Sequence, residues 1–160
     1  MLRPRITPCL LVHKGGLVKT IGFKTPKYVG DPINAVKIFN EKEADELIVL
    51  DIDATVNNAE LDYRMIANLA AECRMPLCYG GGIKTPAQAK RIISLGVEKV
   101  AISSAAVEHP ELITQIADEI GRQSVVIVLD VKKRLFSKDY DVFTKNACTN
   151  TKRSVFDLAA

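Results

Sequence analysis

At 160 residues the chain has the size of one domain with a sizeable hydrophobic core. Apolar residues make up 48% and charged residues 26%, with acids and bases interspersed and a net charge of +3, which is soluble globular composition without a basic stripe for nucleic acid. No long apolar stretch or small-residue cleavage site marks a signal peptide or a membrane span, so a cytoplasmic protein with no membrane partner is expected.

The first predicted strand is Ile6–Val12, followed by a long loop, Val12–Gly30, that carries Lys19 and glycines at 15, 16, 22 and 30. Asp31 and Pro32 then form a helix start, and Ile33, Val36, Ile38 and Phe39 give the helix Pro32–Lys42 an apolar face. A second strand, Glu46–Ile52, leads to a helix over Ala59–Cys73, and a third, Leu77–Tyr79, runs into Gly80, Gly81 and Gly82. A helix over Pro86–Ser94, a strand Val100–Ser103, a helix Pro110–Ile120 and a strand Ser124–Val131 complete the alternation, with Gly96 and Gly121 as stop signals. All these strands are short and almost continuously apolar, as parallel strands buried on both faces are. After them, two alternating pieces around Ser137-Lys-Asp139 predict an inserted hairpin, and residues 150–160 read as the start of a helix.

The order β-α-β-α-β-α-β-α-β predicts an α/β fold with a parallel sheet: a partial (β/α)8 TIM barrel of about four and a half βα units, forming one domain over residues 1–160. A closed barrel needs about eight strands. The expectation is therefore of apolar strand edges left unpaired and of self-association through them. Cys9, Cys73, Cys78 and Cys148 lack metal-type spacing; Cys9 and Cys78, inside apolar runs, read as buried free thiols. Nothing in the sequence calls for a metal or another cofactor.

In parallel α/β folds ligands bind beyond the carboxyl ends of the strands. Those ends here carry Leu11, Asp51, Gly81, Gly82, Ser103, Ser104 and Asp130, with Lys19 in the first loop. Glycine amides and serine hydroxyls suit a phosphate, and a lysine with two carboxylates suits general acid–base work on a phosphorylated small molecule. Taken singly, Asp51 and Asp130 also read as caps of strand–helix loops and Lys19 as a solvated charge. At the opposite ends Arg5, Glu46 and Lys99 precede their strands, where charges normally cap a barrel floor.

Together these stretches resemble the cyclase subunit of imidazole glycerol phosphate synthase, the HisF family. The likeness lies in Arg5-Ile-Thr-Pro-Cys-Leu10, Val18-Lys19, Gly30-Asp31-Pro32, Leu50-Asp-Ile52, Gly80-Gly-Gly-Ile83, Val100–Val107 and Asp130. It runs through all 160 residues and corresponds to the N-terminal part of a full barrel. The resemblance implies ammonia supplied by a glutaminase (HisH-like) partner, entering at the floor and reacting at the rim with a bisphosphorylated ribulosyl substrate in histidine biosynthesis. It makes Asp130 an acid–base catalyst, Lys19 an assisting loop residue, and Gly81, Gly82, Ser103 and Ser104 a phosphate clamp. Arg5, Glu46 and Lys99 match three of the four residues of the ammonia gate.

Two positions depart from that family. Leu11 stands where it has a second catalytic aspartate, and Ser103 where it has an asparagine. Leucine cannot transfer a proton, and losing one of two acid–base groups costs about 10²–10⁴ in rate. A narrower resemblance accommodates Leu11. Cys9–Thr20, Phe23–Val29 and Asn34–Lys42 are similar to paralogues of surface-polysaccharide (O-antigen) clusters, which relay ammonia to an amidotransferase making acetamidino sugars. A silent half-barrel acting as conduit, scaffold or phosphate-binding module is the alternative from a non-enzyme class. A related phosphosugar isomerase would again need a carboxylate at position 11.

Overall fold

The computed structural model describes residues 3–22, 24–134 and 139–159. Five strands run parallel in the spatial order of their appearance: β1 (Cys9–His13), β4 (Leu47–Asp51), β5 (Leu77–Gly80), β6 (Lys99–Ile102) and β7 (Val125–Ile127). Helices α1 (Pro32–Glu41), α2 (Tyr63–Glu72), α3 (Pro86–Ser94), α4 (Ser104–Glu108) and α5 (Glu111–Ile120) lie in the connections. The α/β class and the parallel βα units are therefore as the sequence predicts.

Register sorts each strand's residues into two faces. Val49, Tyr79 and Val100 are paired across β4, β5 and β6, fully buried, and join the core with Val36, Ile66, Leu69, Ile92 and Ile116 from the helices. The alternate residues form layers on the other face: Cys9, Ile48, Cys78 and Lys99 in one, and Leu11, Leu50, Gly80 and Ala101 in the next. The helix starts use the predicted chemistry. Asp31 caps α1 by accepting from the Asn34 amide at 3.0 Å, and Thr85 and Gln88 form a capping box at α3. Ile38, assigned to the apolar face of α1, is 54% exposed; Val36 is fully buried.

The predicted loop Val12–Gly30 is instead a β-hairpin. Strands β2 (Gly16–Ile21) and β3 (Lys24–Gly30) are antiparallel, and β2 pairs with β1 at Leu11, Val12 and His13. The two-residue turn Lys14-Gly15 has φ of 49° and 76°, the doubly positive backbone that fits a tight hairpin. This hairpin takes up the outer edge of β1, which was expected to be unpaired. Cys9 lies ahead of that pairing and is exposed, contrary to expectation, whereas Cys78 is buried and burial pushes its thiol up to about 11.

The fifth predicted strand, Ser124–Val131, divides. Its first part is β7; its last becomes β8 (Asp130–Lys133), which joins β9 (Tyr140–Thr144) and β10 (Thr149–Ser154) in a separate antiparallel sheet. The predicted hairpin is thus β8–β9, and residues 137 and 138 of its expected tip lie outside the described residues. The stretch predicted as a helix start from 150 stays extended to Ser154, and α6 covers Val155–Ala159.

Candidate functional site at the strand ends

Two adjoining cavities open where the parallel strands end. The outer, about 420 Å³, is lined by Gly82, Lys84, Glu108 and His109 among others; the inner, about 160 Å³, by Leu11, Thr20, Asp51, Asp130 and Asn146. Both share Thr55, Gly81, Ala101, Ser103 and Ser104. Of the expected rim residues, Asp51, Gly81, Ser103, Ser104 and Asp130 line the inner cavity and Gly82 the outer one.

Asp51 ends β4, and its Oδ1 accepts from the amides of Asp53 at 2.8 Å and Ala54 at 3.1 Å. Burial pushes its carboxyl above the usual range, against those two hydrogen bonds and with added repulsion from Asp53 and Asp62. Asp51 therefore caps its loop and faces the cavity at once. Asp130 opens β8; burial raises its carboxyl too, and the Ala147 amide opposes the rise. Gly81 and Gly82 have φ of 112° and 73°, and a Cβ on Gly81 would stand 2.2 Å from the Asp51 carbonyl oxygen. The glycines are thus required by the neighbouring loop as well as suited to an approaching anion. The Gly82 amide donates to Thr55 Oγ1 at 3.2 Å.

Ser103 makes no capping hydrogen bond, whereas Ser104 Oγ accepts from the Lys145 amide at 2.9 Å. The β9–β10 turn closes over the rim through that bond, through Asn146 Nδ2 donating to the Ile52 carbonyl at 2.6 Å, and through Ala147 on Asp130. Lys19 lies in β2 between Val18 and Thr20, is exposed, and lines neither cavity; Thr20 is the hairpin residue in the inner one. Sequence reading missed Thr20, Thr55 and Asn146. Only Thr20 carried a signal, the two-residue alternation with Val18, legible once the loop is read as a strand.

At the floor, Glu46 Oε1 accepts from Arg5 Nη1 at 2.9 Å and from Lys99 Nζ at 3.0 Å. The three expected gate residues are therefore one cluster, with Lys99 heading the Cys9–Ile48–Cys78 layer.

Among the described residues no helix is long and apolar enough to cross a membrane. The family described as "Histidine biosynthesis protein" matches residues 5–160. In Vibrio vulnificus, the provisionally named imidazole glycerol phosphate synthase subunit hisF3 is 64% identical over 146 residues, 91% of this chain and 56% of the relative. A provisionally named HisF subunit of Leptospira interrogans is 57% identical over 158 residues, 99% of this chain and 62% of its own. The imidazole glycerol phosphate synthase subunit HisF of Lactococcus lactis subsp. lactis is 42% identical over 159 residues, 99% of this chain and 61% of its own. The chain thus spans about three fifths of the length of these relatives. With a family match over nearly all its residues, the chain belongs to the histidine biosynthesis protein family, among relatives named as HisF subunits.

Proposed function

We propose that this chain is a HisF-like component of a glutamine-dependent ammonia-transfer complex, with a glutaminase at its floor and a phosphorylated metabolite at its rim. The observation that carries the reading is Glu46 holding both Arg5 and Lys99 beneath the strands whose far ends line the two cavities. A carboxylate shared by two cations at a strand entrance suits control over a small neutral nitrogen species, which needs no charge partner of its own. Above it, the buried thiol of Cys78, then Ile48, Leu11, Leu50 and Ala101 offer a face with little to trap ammonia.

At the rim, Gly81, Gly82, Ser103 and Ser104 hold the ligand's phosphate, and Asp51 steadies its hydroxyl groups. Asp130, raised by burial, is a proton donor and acceptor for carbon–nitrogen bond formation. Lys19 acts only when the β2–β3 hairpin turns its outer face toward the ligand. Leu11 favours the reading found in the surface-polysaccharide paralogues, in which ammonia is relayed to another enzyme and full cyclase chemistry is not required.

The test is glutaminase turnover by a HisH-type partner with and without this chain. A rise in turnover together with co-purification supports the reading; neither one occurring rejects it. The second reading, a binding module without turnover, is favoured by Leu11 in the inner cavity. Titration with a bisphosphate ligand while following cyclised product separates the two, since binding without product marks the module.

A further inference from the structure

We propose that His13 and Asp53 form a ligand-facing proton-transfer dyad at the rim, on the side where Leu11 offers no carboxylate; this rests on the reading of the rim as a sugar-phosphate site. His13 ends β1. Val12, before it, is 1% exposed in the helix-side core, so the two-residue strand period puts His13 on the face of Leu11, which lines the inner cavity. Asp53 lies two residues beyond Asp51, and its amide donates to Asp51 Oδ1 at 2.8 Å. Each member of the pair therefore stands two residues beyond a residue of that cavity, at its margin and outside its lining.

The pair is fixed at every point but one. Asp53 Oδ1 lies 2.7 Å from His13 Nδ1, and Asp53 Oδ2 accepts from the Lys14 amide at 2.7 Å. An ionised carboxylate only accepts, so Nδ1 of the neutral ring carries the hydrogen and Nε2 keeps the lone pair. Nε2 has no hydrogen-bond partner among the described residues, and the side chain is 27% exposed. A base oriented by a carboxylate with its far nitrogen open is the arrangement that proton-transfer histidines take.

The step it serves balances within the proposed reaction. When ammonia attacks a ligand carbonyl, a carbon–nitrogen bond forms and the nitrogen carries a surplus proton. Nε2 takes that proton while Asp53 offsets the imidazolium charge. The same proton then goes to the alkoxide oxygen, giving a carbinolamine. A second proton, passed from the amine nitrogen to the hydroxyl oxygen through Nε2 in the same way, lets the carbon–oxygen bond break, and water leaves behind a neutral imine.

The chain holds two histidines, and the second, His109, lines the outer cavity, so His109 reports on occupancy of the rim and His13 on the dyad. The experiment is diethyl pyrocarbonate modification of the full chain with and without ribulose 5-phosphate, each histidine read by peptide mass spectrometry. Protection of both by threefold or more is expected. Protection of His109 with His13 unprotected overturns the dyad and leaves the rim reading standing; protection of neither overturns both. A second measurement separates chemistry from tethering. His13→Asn keeps a donor for Asp53 but loses Nε2, and should bind ribulose 5-phosphate at least tenfold more weakly at an unchanged melting temperature. Affinity equal to the parent's would make the pair a tether alone and overturn the proposal. Asp53→Asn should slow modification of His13 several-fold and leave His109 unchanged; an unchanged His13 rate removes Asp53 from the dyad and overturns it.

Discussion

Lys99 Nζ stands 3.0 Å from Glu46 Oε1, the same oxygen that receives Arg5 Nη1. The two cations are unequal. Lys99 and Glu46 are mostly shielded at 29% and 20% side-chain exposure, while Arg5 is 70% exposed. Removing Glu46 leaves the shielded ammonium beside Arg5 without its acceptor. We expect Glu46→Ala to cost about 1 kcal/mol, at the upper end for partly exposed pairs. That is a fall of roughly 2–4 °C in melting temperature for a domain of this size. Arg5→Ala should cost less than half as much. Thermal melts at low and high salt check this, and a Glu46→Ala protein as stable as the parent would contradict it.

Gly81 presses its Cα hydrogen toward the Asp51 backbone. A Cβ there would meet the carbonyl oxygen at 2.2 Å, with φ at 112°, where side chains are strained in any surroundings. Gly81→Ala should therefore destabilise the fold by about 3 kcal/mol, through strain and a backbone clash together. Denaturant unfolding measures it. Ser103→Ala, whose hydroxyl makes no capping bond, should leave stability within about 0.5 kcal/mol of the parent and weaken only phosphate binding. A Gly81 variant cannot report cleanly on the phosphate; a Ser103 variant can.

The contrast between these residues explains what was legible in the sequence. Continuous apolar runs bounded by helix starts gave the parallel strands, because burial on both faces leaves a period-free signature that Leu77–Gly80 and the run from Val100 to Ile102, buried at every position, obey. The strand ends gave Asp51, Gly81, Ser103, Ser104 and Asp130 because topology alone puts them on one rim. Strands β2 and β3 were hidden because the turn that leads into them from β1, Lys14-Gly15, lacks the asparagine or aspartate that usually marks a doubly positive turn. Cys9 was read as buried from its neighbours, but a strand's first residue is buried only where its neighbours reach, and β2 pairs from Leu11 onward. Asn146 was invisible because it reaches Ile52 across 94 positions of sequence.

Asp130 and Asp51 set one part of the pH dependence. Burial raises each folded-state carboxyl above its ordinary 3.8, so the native state holds these protons to higher pH than the unfolded chain does. Their contribution to stability is therefore greatest at or below that ordinary value. It declines as pH rises from 3.8 through the raised folded values, then stays constant. Asp141 runs the other way: hydrogen bonds from Asn150 and Arg134 hold it below the usual range, and its contribution is lost as pH falls. Asp130→Asn keeps an acceptor for the Ala147 amide and should equal or exceed the parent's stability at pH 7. The difference should shrink as pH falls toward 4. Paired unfolding curves across this range check it, and an Asp130→Asn protein less stable than the parent at pH 7 would reverse the assignment. As the proposed proton carrier, the same variant should lose about 10²–10⁴ of any rim turnover.

The turn over the rim stores backbone strain with a use for only part of it. Lys145, Asn146 and Ala147 have φ of 55°, 54° and 58°, three successive left-handed residues without a glycine. Such a residue costs about 1–2 kcal/mol relative to right-handed backbone, less for asparagine. Asn146 returns that cost through its Nδ2 bond to the Ile52 carbonyl, and the Lys145 amide through its bond to Ser104. Ala147 gives only its amide to Asp130, which a glycine would give equally well. Ala147→Gly should therefore stabilise the chain by about 0.5–1 kcal/mol, while Asn146→Ala should destabilise it by about 1–2 kcal/mol. Asn146→Gly falls between them, relieving the backbone but forfeiting the bond. Denaturant unfolding of the three variants gives the order. If Ala147→Gly is the least stable, the turn owes its shape to contacts of the Ala147 methyl, and the clasp on Asp130 is a consequence of packing rather than of three left-handed residues.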